Sequence, residues 1–241
     1  MNYSDDFIQF VDKCFELKQF VGFGDPSSSV LIIGKETSTD AESNSSLDIQ
    51  NAECIKNNAS DWKKNISNKI SGKELKDWEF IENLPLDKIQ NNPIFPWKGT
   101  IKRDTSDTWK KYQKLHDVIC FGKIDRDNSK KISFLNDFFI TEMNQTPSKK
   151  TKNAKMNPNF RKELEFRKKE IINSNFIKHF PVIVLACSDY IWNTKSDMQI
   201  SNIFNNVTFD KEYFFSEQNK FWTHYDNNCE RLVIHTRQLS M

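Results

Sequence analysis

The sequence predicts an α/β protein: a three-layer α/β/α sandwich around a central, four-stranded, mostly parallel sheet. Three observations carry this expectation. Apolar, β-branched runs with little polar alternation read as strands buried on both faces. Segments of helical period separate those runs, which calls for right-handed crossovers between parallel strands. The composition of the 241 residues, 37% hydrophobic and 28% charged, is that of a globular chain able to bury a core without staples.

The elements follow in chain order. Asp5 to Lys18 sets Phe7, Ile8, Val11, Phe15 and Leu17 at helical spacing and leads to the first strand, Ser29 to Gly34. Asp40 to Asn92 is rich in Asn, Ser, Asp and Lys, includes Trp62, Trp78 and Phe80, and reads as an insertion, helical in part, that caps the site. Residues 1–241 are otherwise expected to form a single domain. Thr105 to Cys120 carries Trp109, Tyr112, Leu115 and Ile119 ahead of the second strand, Phe134 to Thr141. Asn159 to Phe176 is a charged helix that delivers the chain into the third strand, Phe180 to Cys187, and Arg231 to His235 is the fourth.

Composition also excludes. With 35 Lys+Arg against 33 Asp+Glu, the net charge of +2 permits a nucleic-acid partner without demanding one. The apolar runs Val30 to Ile33 and Pro181 to Cys187 fall far below the ~18 residues of a membrane span. Met1 to Asp6 is polar and acidic, unlike a signal peptide, so a cytoplasmic protein with no membrane partner is expected. Five scattered cysteines without a C-x-x-C pair argue against zinc, an iron–sulfur cluster or a redox dithiol; no metal and no cofactor are expected.

Ligands of such sheets bind beyond the carboxyl ends of the strands. The first strand is followed by Gly34-Lys35-Glu36-Thr37-Ser38-Thr39-Asp40, the second by Thr141-Glu142-Met143-Asn144-Gln145-Thr146-Pro147, and the fourth ends in His235-Thr236-Arg237-Gln238-Leu239-Ser240. An acid, a polar reader and a histidine thus fall at one edge of the inferred sheet, and such convergence marks a site.

These strings resemble the uracil-DNA glycosylase superfamily, whose classical members read G-Q-D-P-Y-H after the first strand, apolar-T-N or L-N-T after a middle strand, and H-P-S-P-L-S after the last. The resemblance implies that Glu36 is the catalytic carboxylate, that His235 stabilises charge on the departing base, and that Leu239 is the wedge filling the hole left by an extruded nucleotide. Ser38 stands where the family has the tyrosine that walls off the pyrimidine 5-position. Glu142, suited to the exocyclic amine of cytosine, or alternatively Asn144, suited to uracil, would read the base. Both family prolines are replaced, by Thr37 and Thr236.

Phe95 and Trp97, in the cluster Phe95-Pro96-Trp97-Lys98-Gly99, are the candidates for stacking on the base, with core packing as the competing fate. Lys149, Lys150 and Lys152 open a basic run that continues through Lys155, Arg161, Lys162, Arg167, Lys168 and Lys169. It reads either as a solvated helix face or, beside the site, as phosphate contacts, to which Lys35 and Arg237 would add. His116 and His179 read as helix-face or loop residues without a role.

The resemblance therefore implies a monofunctional, monomeric DNA glycosylase that needs no cofactor and flips a nucleotide of its DNA partner. A missing wall and an amine-seeking reader point to a 5-substituted cytosine, hydroxymethylated or glucosylated as in bacteriophage DNA, and hence to anti-phage defence. The alternatives are a uracil-DNA glycosylase of base-excision repair and a catalytically silent, nucleic-acid-binding member of the fold.

Overall fold

The computed structural model describes residues 3–38, 46–70, 93, 105–148, 150–193, 198–217 and 219–237. Helix α1 (Asp5–Glu16) opens on the Ser4 cap, whose hydroxyl accepts from Phe7 N, with Asp5 and Asp6 in the positive first turn. After it come β1 (Phe23–Gly24), β2 (Val30–Gly34), α2 (Ser46–Ser67) and α3 (Asp107–Phe121). A 3₁₀ turn, Phe134–Asn136, precedes β3 (Phe138–Glu142). Next are α4 (Thr151–Met156), α5 (Phe160–Arg167), α6 (Asn175–Lys178) and β4 (Val182–Leu185). A 3₁₀ turn, Ser188–Tyr190, leads to α7 (Gln199–Ile203), β5 (Thr208–Phe214), β6 (Lys220–Tyr225) and β7 (Leu232–Thr236).

The α/β class holds, but the sheet is mixed and seven-stranded, in the order β1-β3-β2-β4-β7-β6-β5, where a four-stranded sheet was expected. The expected strands form its parallel centre, β3, β2, β4 and β7. Antiparallel β1 and the β6–β5 hairpin extend it at either side. The extra strands lack the apolar run that betrays a buried strand: β1 has two residues, and β5 is almost wholly exposed with Asp210-Lys211-Glu212 at its middle.

Strand alternation sends side chains to opposite faces. Leu31, Ile33, Phe139, Ile183, Leu185 and Val233 join one buried cluster with Phe7, Trp62, Leu164 and Ile171. Val30, Ile32, Phe138, Ile140 and Val184 join another with Trp109, Tyr112 and Phe134. Helices therefore cover both faces of the parallel centre.

Three expectations need correction. Phe134–Asn136 is a turn rather than the start of a strand. The helix expected over Asn159 to Phe176 is interrupted: α5 passes into a π-helical turn, Lys168–Ile172, and Ser174 then caps α6 by accepting from Ile177 N. The described part of the insertion is no lid but a core helix. Trp62 of α2 is fully buried against Phe7 and donates Nε1–H to Gly22 O at 3.0 Å, while Asn58 Oδ1 accepts from the amides of Val21 and Gly22. Residues 71–92 lie outside the described ones. Among the described residues, no helix is long and apolar enough to cross a membrane.

Arg167 at the end of α5 is buried, contrary to a solvated or phosphate-binding face. Its Nε donates to Glu142 O at 2.7 Å, and its other nitrogens donate to Phe20 O, Gln19 Oε1 and Thr141 Oγ1 at 2.8, 3.2 and 3.1 Å. Burial pulls its pKa down to about 10, with Cys14 and Glu142 opposing, so the charge persists at neutral pH. Removing such a group leaves several buried acceptors unpaired. Arg167→Met should lower the unfolding free energy by about 3–5 kcal/mol, read from urea midpoints. Arg167→Lys should recover only part of that, because an ammonium cannot reproduce the planar fork.

Candidate functional site

The chain order reverses beside β2, with β3 on one side and β4 on the other, which makes the carboxyl ends of β2 and β4 the topological switch point where open α/β sheets bind ligands. The ladder runs on past the strands: Met143 N donates to Gly34 O, Asn144 N to Lys35 O and Ala186 N to Ile33 O. These bonds hold the segments after β2, β3 and β4 side by side.

Glu36 follows β2 at this edge and is buried. Its carboxylate accepts from Tyr190 Oη at 2.5 Å and from Thr151 Oγ1 at 2.9 Å. Burial, reinforced by the Glu36 carboxylate, pushes the Tyr190 phenol far above its ordinary range, so it stays a donor. Lys35 and Lys155 lie over the Tyr190 ring, 5.4 and 5.8 Å from its centroid, and both face Asp189, to which Lys155 is hydrogen-bonded. Burial works to raise the Asp189 carboxyl, but Lys155, seconded by Lys35, holds it below the usual range. Tyr190, Asp189, Lys155, Arg161, Lys168 and Trp192 line a cleft of about 700 Å³.

His235 is 2% exposed, near the end of β7, opposite Trp222 of β6 and beside Leu185 of β4. Its ring stands edge-on to Trp192 at 5.0 Å and tilted over Trp222 at 5.2 Å. Nε2 lies 2.9 Å from Ser188 O, which makes it the N–H donor and leaves Nδ1 as an acceptor. Burial drives the pKa down to about 4, helped by neighbouring His224 and opposed by the Ser188 carbonyl, so the ring is neutral at physiological pH. His235, His224, Trp192, Trp222, Phe209 and Met198 wall a second cavity of about 360 Å³. Trp192 belongs to both spaces.

The carboxylate and the imidazole therefore share one edge of the sheet and one support: Ser188 O holds His235, and Tyr190, at the other end of the same turn, holds Glu36. Asn144 is buried next to the segment that carries Glu36, with its amide on Lys35 O and its Oδ1 accepting from Thr146 N at 3.2 Å. Glu142 is not with them. Thr141 faces Arg167, so Glu142 takes the opposite face, where its charge adds to burial in raising the Tyr112 phenol. Its carboxylate folds over Gly34, where a Cβ would collide with it.

Of the remaining candidates, Ser38, Lys150 and Lys152 are exposed and Arg237 is half-buried. Lys35 turns inward to Asp189 and Tyr190 rather than outward to solvent. Lys168 is likewise buried, bonded to Glu165 and Gln199. Phe95, Trp97, Lys149 and Leu239 lie outside the described residues. His179 is exposed and pairs with Asp6, whereas His116 is buried, contrary to a simple surface position. Sequence reasoning missed Tyr190, Thr151, Trp192, Trp222 and His224. Tyr190 was within reach, because it follows the third strand at the edge where ligands were expected.

Comparison with protein-family models, curated proteins and solved structures finds no match.

A histidine whose folded pKa lies near 4 against about 6.5 unfolded binds its proton more readily in the unfolded chain, so stability is complete above pH 6.5 and is lost as pH falls toward 4. The loss should reach roughly 3 kcal/mol from this group. In urea unfolding between pH 7.5 and 4, His235→Gln, which keeps a donor for Ser188 O, should show a slope of stability on pH shallower by nearly one proton. An unchanged slope would refute the buried neutral state.

Proposed function

We propose that the protein is a DNA glycosylase that hydrolyses the N-glycosidic bond of an extruded pyrimidine nucleotide, on a three-layer fold of the uracil-DNA glycosylase kind. The observation that carries the proposal is the pairing of Glu36 and His235 at one carboxyl edge, tied to a single turn beside the topological switch point. In this reading the C1′–N bond breaks with its electron pair leaving on the base. Glu36 stands against the positive charge that develops on the sugar and orients the attacking water. The water oxygen bonds to C1′ and its proton passes to the Glu36 carboxylate and from there to solvent, while the departing base anion takes up a proton from solvent. Neutral His235 donates a hydrogen bond to the base oxygen, exchanging Ser188 O for it, and needs no imidazolium for the task.

The aromatic walls at this edge are Trp192 and Trp222, and they supply the stacking surface that flipped bases use. Lys155, Arg161 and Lys168 bring cations to the lining of the adjoining cleft, where Asp189 engages Lys155 and Glu165 engages Lys168, which leaves Arg161 as the candidate phosphate contact. The geometry favours Asn144 over Glu142 as the reader, since Glu142 faces the other side of the sheet. That leans toward a uracil-like edge, while exposed Ser38 leaves the 5-position open to a substituent. One observation speaks for a silent, nucleic-acid-binding protein instead: Glu36 and the His235 N–H already spend hydrogen bonds on protein partners.

Duplex and single-stranded DNA carrying uracil, 5-hydroxymethylcytosine or its glucosylated form, incubated with the protein and treated with alkali, should break at the modified base. Glu36→Gln should slow that release by about 10²-fold or more while leaving gel-shift affinity for DNA intact. Binding without release in parent and variant alike would establish the silent reading, and the absence of both would end the proposal.

A further inference from the structure

At the opposite edge of the sheet, where Asp137 immediately precedes β3, the side chains of His116, Cys120 and Asp137 converge. One nitrogen, one sulfur and one oxygen there lie within 4.8 Å of one another. We propose that these three residues bind a divalent transition-metal ion of borderline softness, zinc being the natural occupant, with a fourth position left to water or an exogenous ligand. The site is independent of the glycosylase reading and shares no residue with it.

The donor set carries the choice of metal. Imidazole, thiolate and a single carboxylate suit zinc, whereas magnesium and calcium take oxygen ligands alone. Helical geometry supplies the first two donors, since His116 and Cys120 stand four residues apart on α3 and so share one face. Asp137 arrives from the turn before β3 and brings Oδ2 to 2.8 Å from His116 Nε2. An ion would take the place of the proton between them.

A support is already built around the histidine. His116 is 1% exposed, its ring held edge-on by Phe121 and Phe138. Behind it, His116 Nδ1 has Gln113 Nε2 at 3.3 Å and the Asp117 carboxylate at 3.7 Å, a negative group behind the ring of the kind that backs metal-binding histidines. Asp117 is buried and held by Gln113 Nε2 at 2.8 Å and by Asp125 N at 3.2 Å. Gln113 is itself locked, with Oε1 accepting from the amides of Ser133 and Phe134 and Nε2 reaching Ser133 Oγ. In the empty site Nε2 carries the proton toward Asp137 Oδ2; when the ion takes its place, the imidazole stays neutral by carrying its proton on Nδ1, turned to the Asp117 carboxylate. Cys120 gives up its thiol proton to solvent on binding. Because Cys120 and Asp137 are exposed, the ion can enter without opening the core.

The full-length chain, stripped with a chelator, should be titrated with Co²⁺. One equivalent should develop a near-ultraviolet thiolate-to-cobalt charge-transfer band with visible bands of a four-coordinate ion, and Zn²⁺ should bleach both. Cys120→Ser, at an exposed position, should abolish the charge-transfer band, while Cys229→Ser, at the other exposed cysteine, should leave it unchanged. Asp117→Asn should weaken Co²⁺ binding about tenfold. The absence of a saturable spectrum, a band that survives Cys120→Ser, or one that depends on Cys229 would overturn the proposal.

Discussion

One buried guanidinium fixes the geometry of the carboxyl edge. Arg167 belongs to α5, yet its acceptors lie on Gln19 and Phe20 after α1 and on Thr141 and Glu142 at the end of β3. These segments are distant in sequence and have no ladder bonds to α5. Two of the four acceptors are backbone carbonyls, so the fork sets the path of the chain rather than the rotamer of a neighbour. The end of β3 is thereby pinned, and Asn144 and the segment leading to Thr151 start from a fixed point. The Thr151 hydroxyl reaches Glu36 from that segment. The same helix carries Phe160, whose ring packs edge-on against Tyr190, so both hydroxyl donors to Glu36 are steadied through the α4–α5 region.

The electrostatics of this edge follow from burial on one flank and charge on the other. His235 sits among tryptophans, where an added proton would be poorly solvated, and it remains a neutral donor. Glu36, next to Lys35 in the chain and across Tyr190 from Lys155, has cationic company without a direct ion pair to either among the described residues. Those two lysines are instead engaged by Asp189. Asp189 thereby neutralises part of the positive charge that the two lysines bring to the cleft.

What the sequence disclosed and what it withheld have a common cause. The four parallel strands were legible because burial on both faces demands unbroken β-branched and aromatic runs, as in Val30-Leu31-Ile32-Ile33 and Val182-Ile183-Val184-Leu185. The positions of Glu36 and His235 at one edge followed from parallel direction alone. The antiparallel β5 and β6 were hidden, since their pairing is set by backbone bonds and a half-solvated face tolerates Asp210, Lys211 and Glu212. Trp192 and Trp222 could not be told from the other aromatic residues of the core, because stacking against His235 depends on the β6–β7 register. His116 was equally opaque: its burial is decided by Gln113, Asp117 and Ser133 closing over it, a set spread over two elements.

The rivalry between Glu142 and Asn144 turns on where the paired strand ends. Inside a strand, successive side chains alternate faces, so once Thr141 is committed to Arg167 on one side, Glu142 must emerge on the other. Gly34, its partner in register on β2, offers no side chain to oppose it, and the carboxylate folds across the glycine toward Tyr112. Asn144 lies beyond the last paired residue, and its orientation is set by the Lys35 carbonyl and by the turn its own Oδ1 makes with Thr146 N. Two residues apart, the two side chains would share a face if the strand ran on, so it is the end of pairing at Glu142 that separates them. Met143 is fully buried against the cluster that also holds Ile33 and Phe139, and its amide is bonded to Gly34 O. The apolar core thus fixes the register that commits Glu142 to its face, and the polar contacts of the following turn set the orientation of Asn144.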